Sequence, residues 1–139
     1  MVKRGRPGAL LLAVAIVATL SFGTVAPAGA AKKQPTLTVL VTNDDGVAAP
    51  GIDAVVEALR DEKRLNVVVV APAANQSGSA SKTTPGGAPG ASATTASGYE
   101  ATAVTGFPAD SVNYALDVMK LRPNVVISGS NLGQNMGTI

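Results

Sequence analysis

"TLTVLVTNDDGVAAPGIDAVVEALRD", residues 36 to 61, decides the fold. Thr36 to Thr42 form a short apolar run rich in β-branched side chains, with Pro35 before it and an Asn-Asp-Asp-Gly turn after it. That is the pattern of a buried strand. From Gly51 to Asp61 the period changes, and Ile52, Val55, Val56 and Leu59 recur at i, i+3, i+4 and i+7, with Pro50 near the first turn. This spacing predicts an amphipathic helix. Leu65 to Ala71, "LNVVVVA", is a second continuous apolar strand. Strand, helix and strand in so short a span imply a right-handed parallel crossover.

Between Pro72 and Gly98 the composition shifts to Ser, Thr, Ala, Gly and Pro with no apolar period, which reads as a long flexible loop with room for a weak hairpin. "YEATAVTG", Tyr99 to Gly106, alternates enough for one more strand, and Pro108 to Lys120 carries Val112, Ala115, Leu116 and Met119 at helical spacing. "NVVIS", Asn124 to Ser128, is a further buried strand that runs into "GSNLGQNMG". The order predicts an α/β fold, a Rossmann-like doubly wound sheet of mainly parallel strands. In such sheets ligands bind beyond the carboxyl ends of the strands. Asp44 and Asp45, Ser77 to Ser79, and Ser128 to Asn135 all follow strands, so the three polar clusters are expected on one edge.

The first thirty residues stand apart. Lys3, Arg4 and Arg6 precede an apolar run from Ala9 to Leu20, and Ala28-Gly29-Ala30 offers an A-x-A cleavage site, so residues 1–30 read as a signal peptide and the protein as exported, periplasmic or extracellular. The alternative, an uncleaved anchor, has a run shorter than the ~17–25 residues of a spanning helix. Removing the leader takes three of the eleven basic residues and none of the nine acidic ones, leaving eight against nine and a formal charge of −1. The basic excess of the whole chain therefore belongs to the leader. Two Phe, two Tyr and no Trp give no stacking platform, and no basic patch remains, so a nucleic-acid partner is not expected. Without cysteine there is no disulfide and no lipobox.

Two neighbouring carboxylates repel, and a site that keeps both ionised generally supplies a cation. Oxygen donors from Asp, Ser and Asn suit a hard ion such as Mg²⁺ or Mn²⁺. The chain has no His and no Cys, which argues against a typical zinc site and excludes His-based triads and thiol nucleophiles. "SGSNLGQNMG" has neither the dinucleotide nor the Walker spacing, although a loop of this composition, opening at Ser128 and Gly129, can offer backbone N–H groups to an anion. Taken alone it reads as a flexible turn. Asn-Asp-Asp-Gly alone reads as a good turn former.

"VLVTNDDGVAAPGIDAVVEAL" closely resembles the amino-terminal signature of the SurE family, the stationary-phase survival phosphatases. The resemblance continues through "VVVVAPAANQSGS", "GFPADSV" and "NVVISGSNLGQNMG", and so covers most of the mature chain in order. It implies a metal-dependent phosphomonoesterase acting on nucleoside 5′- and 3′-monophosphates or other small phosphomonoesters. It also implies metal ligands at Asp44, Asp45, Ser77 and Asn131, with Mg²⁺ or Mn²⁺ as cofactor. Asn43 joins the two aspartates as the expected catalytic set, and Asn43, Gly78, Ser128 and Gly129 are expected on the substrate side. Gly46 and Gly51 are expected to serve backbone geometry and the close packing of helix on strand.

The chain departs from that pattern in places. Gly106-Phe107-Pro108 and Ser111 stand where the family commonly has Gly-Thr-Pro and a following Cys, and Lys82 to Gly98 lacks the usual apolar character. The family also continues past the Asn-rich loop with a Ser-Gly-Thr segment, more core and an oligomerising extension. Residues 31–139 are therefore expected to be the amino-terminal portion of such a domain, and the homo-oligomer is expected of the full-length family. Two readings compete with the nucleotidase: a non-catalytic remnant that binds metal and phosphate, and a nucleotide-cofactor module. The second is disfavoured, because two acids after the first strand would repel a pyrophosphate.

Overall fold

The computed structural model describes residues 35–133. The leader expected at residues 1–30 lies outside the described residues, as does the end of the Asn-rich loop. The described elements are β1 (Leu37–Thr42), α1 (Pro50–Leu59), β2 (Leu65–Pro72), β3 (Gly90–Thr94), β4 (Glu100–Val104), α2 (Pro108–Asn113), a π-helical turn over Tyr114–Val118, and β5 (Val125–Ser128). They form a five-stranded sheet in the order β3-β4-β2-β1-β5. β1 pairs in parallel with β2 and β5, β2 pairs in parallel with β4, and only β3 runs antiparallel, against β4. This is the mainly parallel, Rossmann-like α/β sheet expected from the sequence.

The two-residue period of the strands divides the core between the two faces. Val39 and Val41 of β1 and Val67 and Val69 of β2 pack with Ile52 and Val56 of α1. Leu40 and Val70 point the other way and meet Val104 and Ala115. Ile52 and Val56 are fully buried, with Val55 and Leu59 packed against the same cluster. Each such side chain contributes about 1.5–3 kcal/mol by leaving water. The stripe read from the sequence is thus the stripe that holds α1 to the sheet.

Three segments differ from expectation. β5, expected to be buried, is exposed except at the half-buried Ile127, because it pairs on one side only, with β1, among the described residues. The Ser/Thr/Gly-rich stretch contains a true strand, β3, in which five small or polar residues pair with β4 from Gly90↔Val104 to Thr94↔Glu100. Their order comes from the partner strand rather than from any apolar pattern of their own. The helix expected over Pro108 to Lys120 is also divided, because α2 passes into the π-helical turn and the phase of its buried face shifts. Asp110, Ser111 and Ala115 are the buried positions, whereas Met119 is 41% exposed. The cause is local: Asp110 is drawn inward by the hydrogen bonds described below, which outweigh burial of the apolar stripe.

β5 has only four residues, and side-chain and backbone contacts fix its register at both ends. Asn124 donates its N–H to the Thr38 carbonyl (2.8 Å) and accepts the Thr38 N–H on Oδ1 (2.8 Å). At the other end the Gly129 N–H reaches the Thr42 carbonyl at 2.9 Å. The chain leaves β1 for β2 on one side and returns with β5 on the other, so the order reverses between β1 and β5. A crevice beyond the carboxyl ends of two such strands is the usual ligand position in a doubly wound sheet. Among the described residues no helix is long and apolar enough to cross a membrane.

Candidate functional site

The turn that leaves β1 is closed by its own first residue. Asn43, 1% exposed, donates from Nδ2 to the Gly46 carbonyl (3.0 Å) and accepts the Gly46 N–H on Oδ1 (3.2 Å). An amide is needed, because only Asn can give a donor and an acceptor at this length. Gly46 has φ +106°, and a Cβ there would press on the backbone of Ala74 at 3.1 Å. The turn is tied to the loop after β2 by Val47 N–H to the Pro72 carbonyl (2.8 Å) and Gln76 N–H to the Asp44 carbonyl (2.7 Å).

Asp45 then gathers three segments. Its Oδ1 accepts from Asn75 Nδ2 (3.1 Å) and Ser77 Oγ (3.4 Å), and its Oδ2 accepts the Leu132 N–H (2.8 Å). Asn75 also accepts the Ser77 N–H on Oδ1 at 2.9 Å, an Asx turn that sets the Ser77 hydroxyl toward Asp45. The carboxyl ends of β1, β2 and β5 therefore meet at one carboxylate. Gly51, in the first turn of α1, completes the contact, since a Cβ there would collide with the Ser130 carbonyl.

Asp44, Asp45, Ser77 and the segment carrying Asn131 thus stand on the edge where the sequence puts them. Asn43 is engaged with Gly46, so its visible work is to shape the turn. Gly78 is exposed and left-handed, with φ +79°. Gly129 gives its N–H to Thr42, so that donor serves the sheet, and Ser128 ends β5 opposite Thr42. The Thr42 and Ser79 hydroxyls are buried without a partner among the described residues.

The donor chemistry fits a hard divalent cation. Among the described residues no three of His, Cys, Asp or Glu come together, so a cation here would rest on two carboxylates and neutral oxygens. Ser77 Oγ and Asp45 Oδ1, 3.4 Å apart, are two neighbouring oxygens of the kind such a cation takes.

Two residues that the sequence reading did not single out position this edge. Asn75 is one. Asp110, 3% exposed, is the other: it accepts the Thr84 N–H on Oδ1 (2.9 Å), the Thr84 hydroxyl on Oδ2 (2.7 Å) and the Phe107 N–H on Oδ2 (2.9 Å). It pins the loop after β2 to the start of α2. Burial pushes its carboxyl up, and the donors from Thr84 and Phe107 push it down by more, so it lies below its ordinary value. An acid at the third position of a helix, after a proline, is the signal that could have found it.

Two cavities open on this edge. One of about 370 Å³ is lined by Asp45, Gly46, Pro50, Ala74 and Leu132, and a neighbour of about 260 Å³ by Ala73, Gln76, Thr105 and Phe107. A larger one, about 440 Å³, lies between the starts of β2 and β4, beside Asn66, Tyr99 and Met119. It is a gap in the ladder, where the Tyr99 hydroxyl donates to the Val67 carbonyl at 3.0 Å, and of its lining only Glu100 carries a charge.

Residues 39–139 match the family model described as Survival protein SurE. Among solved structures, the SurE protein from Aquifex aeolicus is similar at 37% identity with a TM-score of 0.54, over 72% of this chain and 40% of that one. The chain therefore spans 40% of the length of the protein it matches.

Proposed function

Because this chain belongs to the SurE family, we propose that it carries the metal-holding half of a phosphomonoesterase that hydrolyses nucleoside 5′- and 3′-monophosphates. The observation that supports the reading is the meeting of Asp45 with Asn75, Ser77 and the Leu132 N–H where the strand order reverses.

Asp44, Asp45, Ser77 and Asn131 would hold Mg²⁺ or Mn²⁺. When bound, the cation supplies Lewis acidity toward a phosphoryl oxygen and the positive charge that offsets two carboxylates. The chain's own residues set the frame. Asn43 and Gly46 lock the turn so that both aspartates follow the strand at fixed angles. Asn75 orients Ser77. Ser77 and Asn131 add oxygen donors without adding negative charge near a phosphate dianion. The exposed backbone at Gly78 is the donor side offered to the phosphate, where charge builds during transfer. Export through residues 1–30 and a homo-oligomeric full-length protein complete the reading.

The test uses the full-length protein from its native host. Release of phosphate from adenosine 5′-monophosphate should require Mg²⁺ or Mn²⁺, and Asp44→Asn should lower kcat/KM by about a hundredfold or more. Full activity of that variant with the metal still required would refute the ligand assignment. Metal binding by calorimetry without phosphate release from any ester would instead leave a metal-binding remnant.

A further inference from the structure

Three aromatic residues lie among the described residues, and two of them have evident structural work. Tyr99 packs on the α1 side of the core and holds the Val67 carbonyl. Tyr114 packs on the other side, with its ring against Gly90, where a Cβ would clash at 2.6 Å. Phe107 belongs to neither core cluster. It is half-buried, and it lines the cavity of about 260 Å³ at the carboxyl end of β4.

That cavity shares Ala73 and Ala74 with the one lined by Asp45 and Leu132. Ala73 is held between the two, since its N–H donates to the Val104 carbonyl (2.8 Å) while the preceding Pro72 carbonyl takes the Val47 N–H (2.8 Å). With β4, β2 and β1 side by side, the ends that carry Phe107 and Asp45 are two strand spacings apart, about 10 Å. A phosphate, a sugar and a flat ring laid in sequence cover that span. The backbone beneath Phe107 is fixed through Asp110 to Thr84, so the ring stands on a rigid base. Gln76 lines the same cavity and offers an amide to the edge of a ring.

Resting on the phosphomonoesterase reading, we propose that Phe107 is a specificity-determining wall, against which the ring of the substrate's alcohol part stacks while the phosphate lies at Asp45. The site then selects phosphomonoesters that carry a flat ring over small polyol phosphates. Stacking on an aromatic face tolerates any base, so purine and pyrimidine esters share the advantage.

The experiment compares adenosine 5′-monophosphate with glycerol phosphate in the full-length protein, reading Kd by calorimetry and KM and kcat by phosphate release. Phe107→Leu keeps an apolar side chain of similar reach and removes the ring. It should weaken Kd and raise KM for the nucleotide by about five- to a hundredfold, with kcat little changed and glycerol phosphate unaffected. Phe107→Tyr should restore nucleotide binding, and the loss confined to the nucleotide in Phe107→Leu is the readout that a merely structural role would not give. Equal losses for both esters, or no loss for the nucleotide, would overturn the proposal. If no ester is hydrolysed but the nucleotide still binds better in a Phe107-dependent way, the phosphatase reading falls and the stacking wall stands.

Discussion

Asp45 has two oxygens with different duties: one faces Asn75 and Ser77, the other the Leu132 N–H. An amide has a single acceptor, so Asp45→Asn must abandon one side. We expect a fall in kcat/KM of about a hundredfold or more with the far-ultraviolet dichroism unchanged. Asp110 makes a second prediction. Its folded pKa lies below the ordinary 3.8, with burial opposing and the Thr84 and Phe107 donors prevailing. A depressed pKa adds stability that is complete above the unfolded value and disappears as pH falls through the folded one, so the loss belongs below roughly pH 4. Asp110→Asn turns an N–H₂ against N–H donors and should cost about 1–3 kcal/mol at neutral pH. It should also flatten that acid limb, which urea midpoints measured from pH 2 to 7 would show.

At the scale of elements, Gly51 joins α1 to the loop after β5. Alanine normally favours a helix over glycine, yet Gly51→Ala would drive a methyl group into the Ser130 carbonyl. The expected result is a loss of about 1–3 kcal/mol in thermal or urea unfolding together with reduced activity, because the loop that gives Leu132 to Asp45 must move. What could be read from the sequence follows the same division. β1, α1 and β2 were legible because their apolar residues repeat at strand and helix periods and are buried by those periods. β3 was not, since Gly90 to Thr94 has no pattern and exists by pairing with β4. The phase of α2 was missed because a carboxylate with several donors replaced an apolar side chain at a buried position. The site was legible in part. Two adjacent acids, a serine and an asparagine after strands could be placed on one edge, but the Asx turn of Asn75 needed the loop to be seen in space.

For the whole molecule, the site joins segments from the middle and the margin of the described sheet. β5 lies at the sheet's margin, with Val125 45% and Val126 51% exposed. A cation shared by the ends of β1 and β5 and the loop after β2 would tie them together, and binding to the folded state alone adds about 2.7 kcal/mol at a hundred times Kd. Thermal melts should therefore rise with Mn²⁺ or Mg²⁺ in the wild type and stay flat in Asp45→Asn. The leader has its own check. If residues 1–30 are cleaved on export, the mature protein begins at Ala31, and amino-terminal sequencing of the protein from its host would show that end.

The bond between Asp45 and Leu132 spans 87 positions of the chain. At a ribosomal pace of about 5–20 residues per second, Asp45 waits on the order of 4–17 seconds for its partner to be made. Through that interval the first aspartates exist, but the place where they would act does not. On the phosphomonoesterase reading, a nascent chain would stay inert toward phosphate esters at least until the last described strand has found the first.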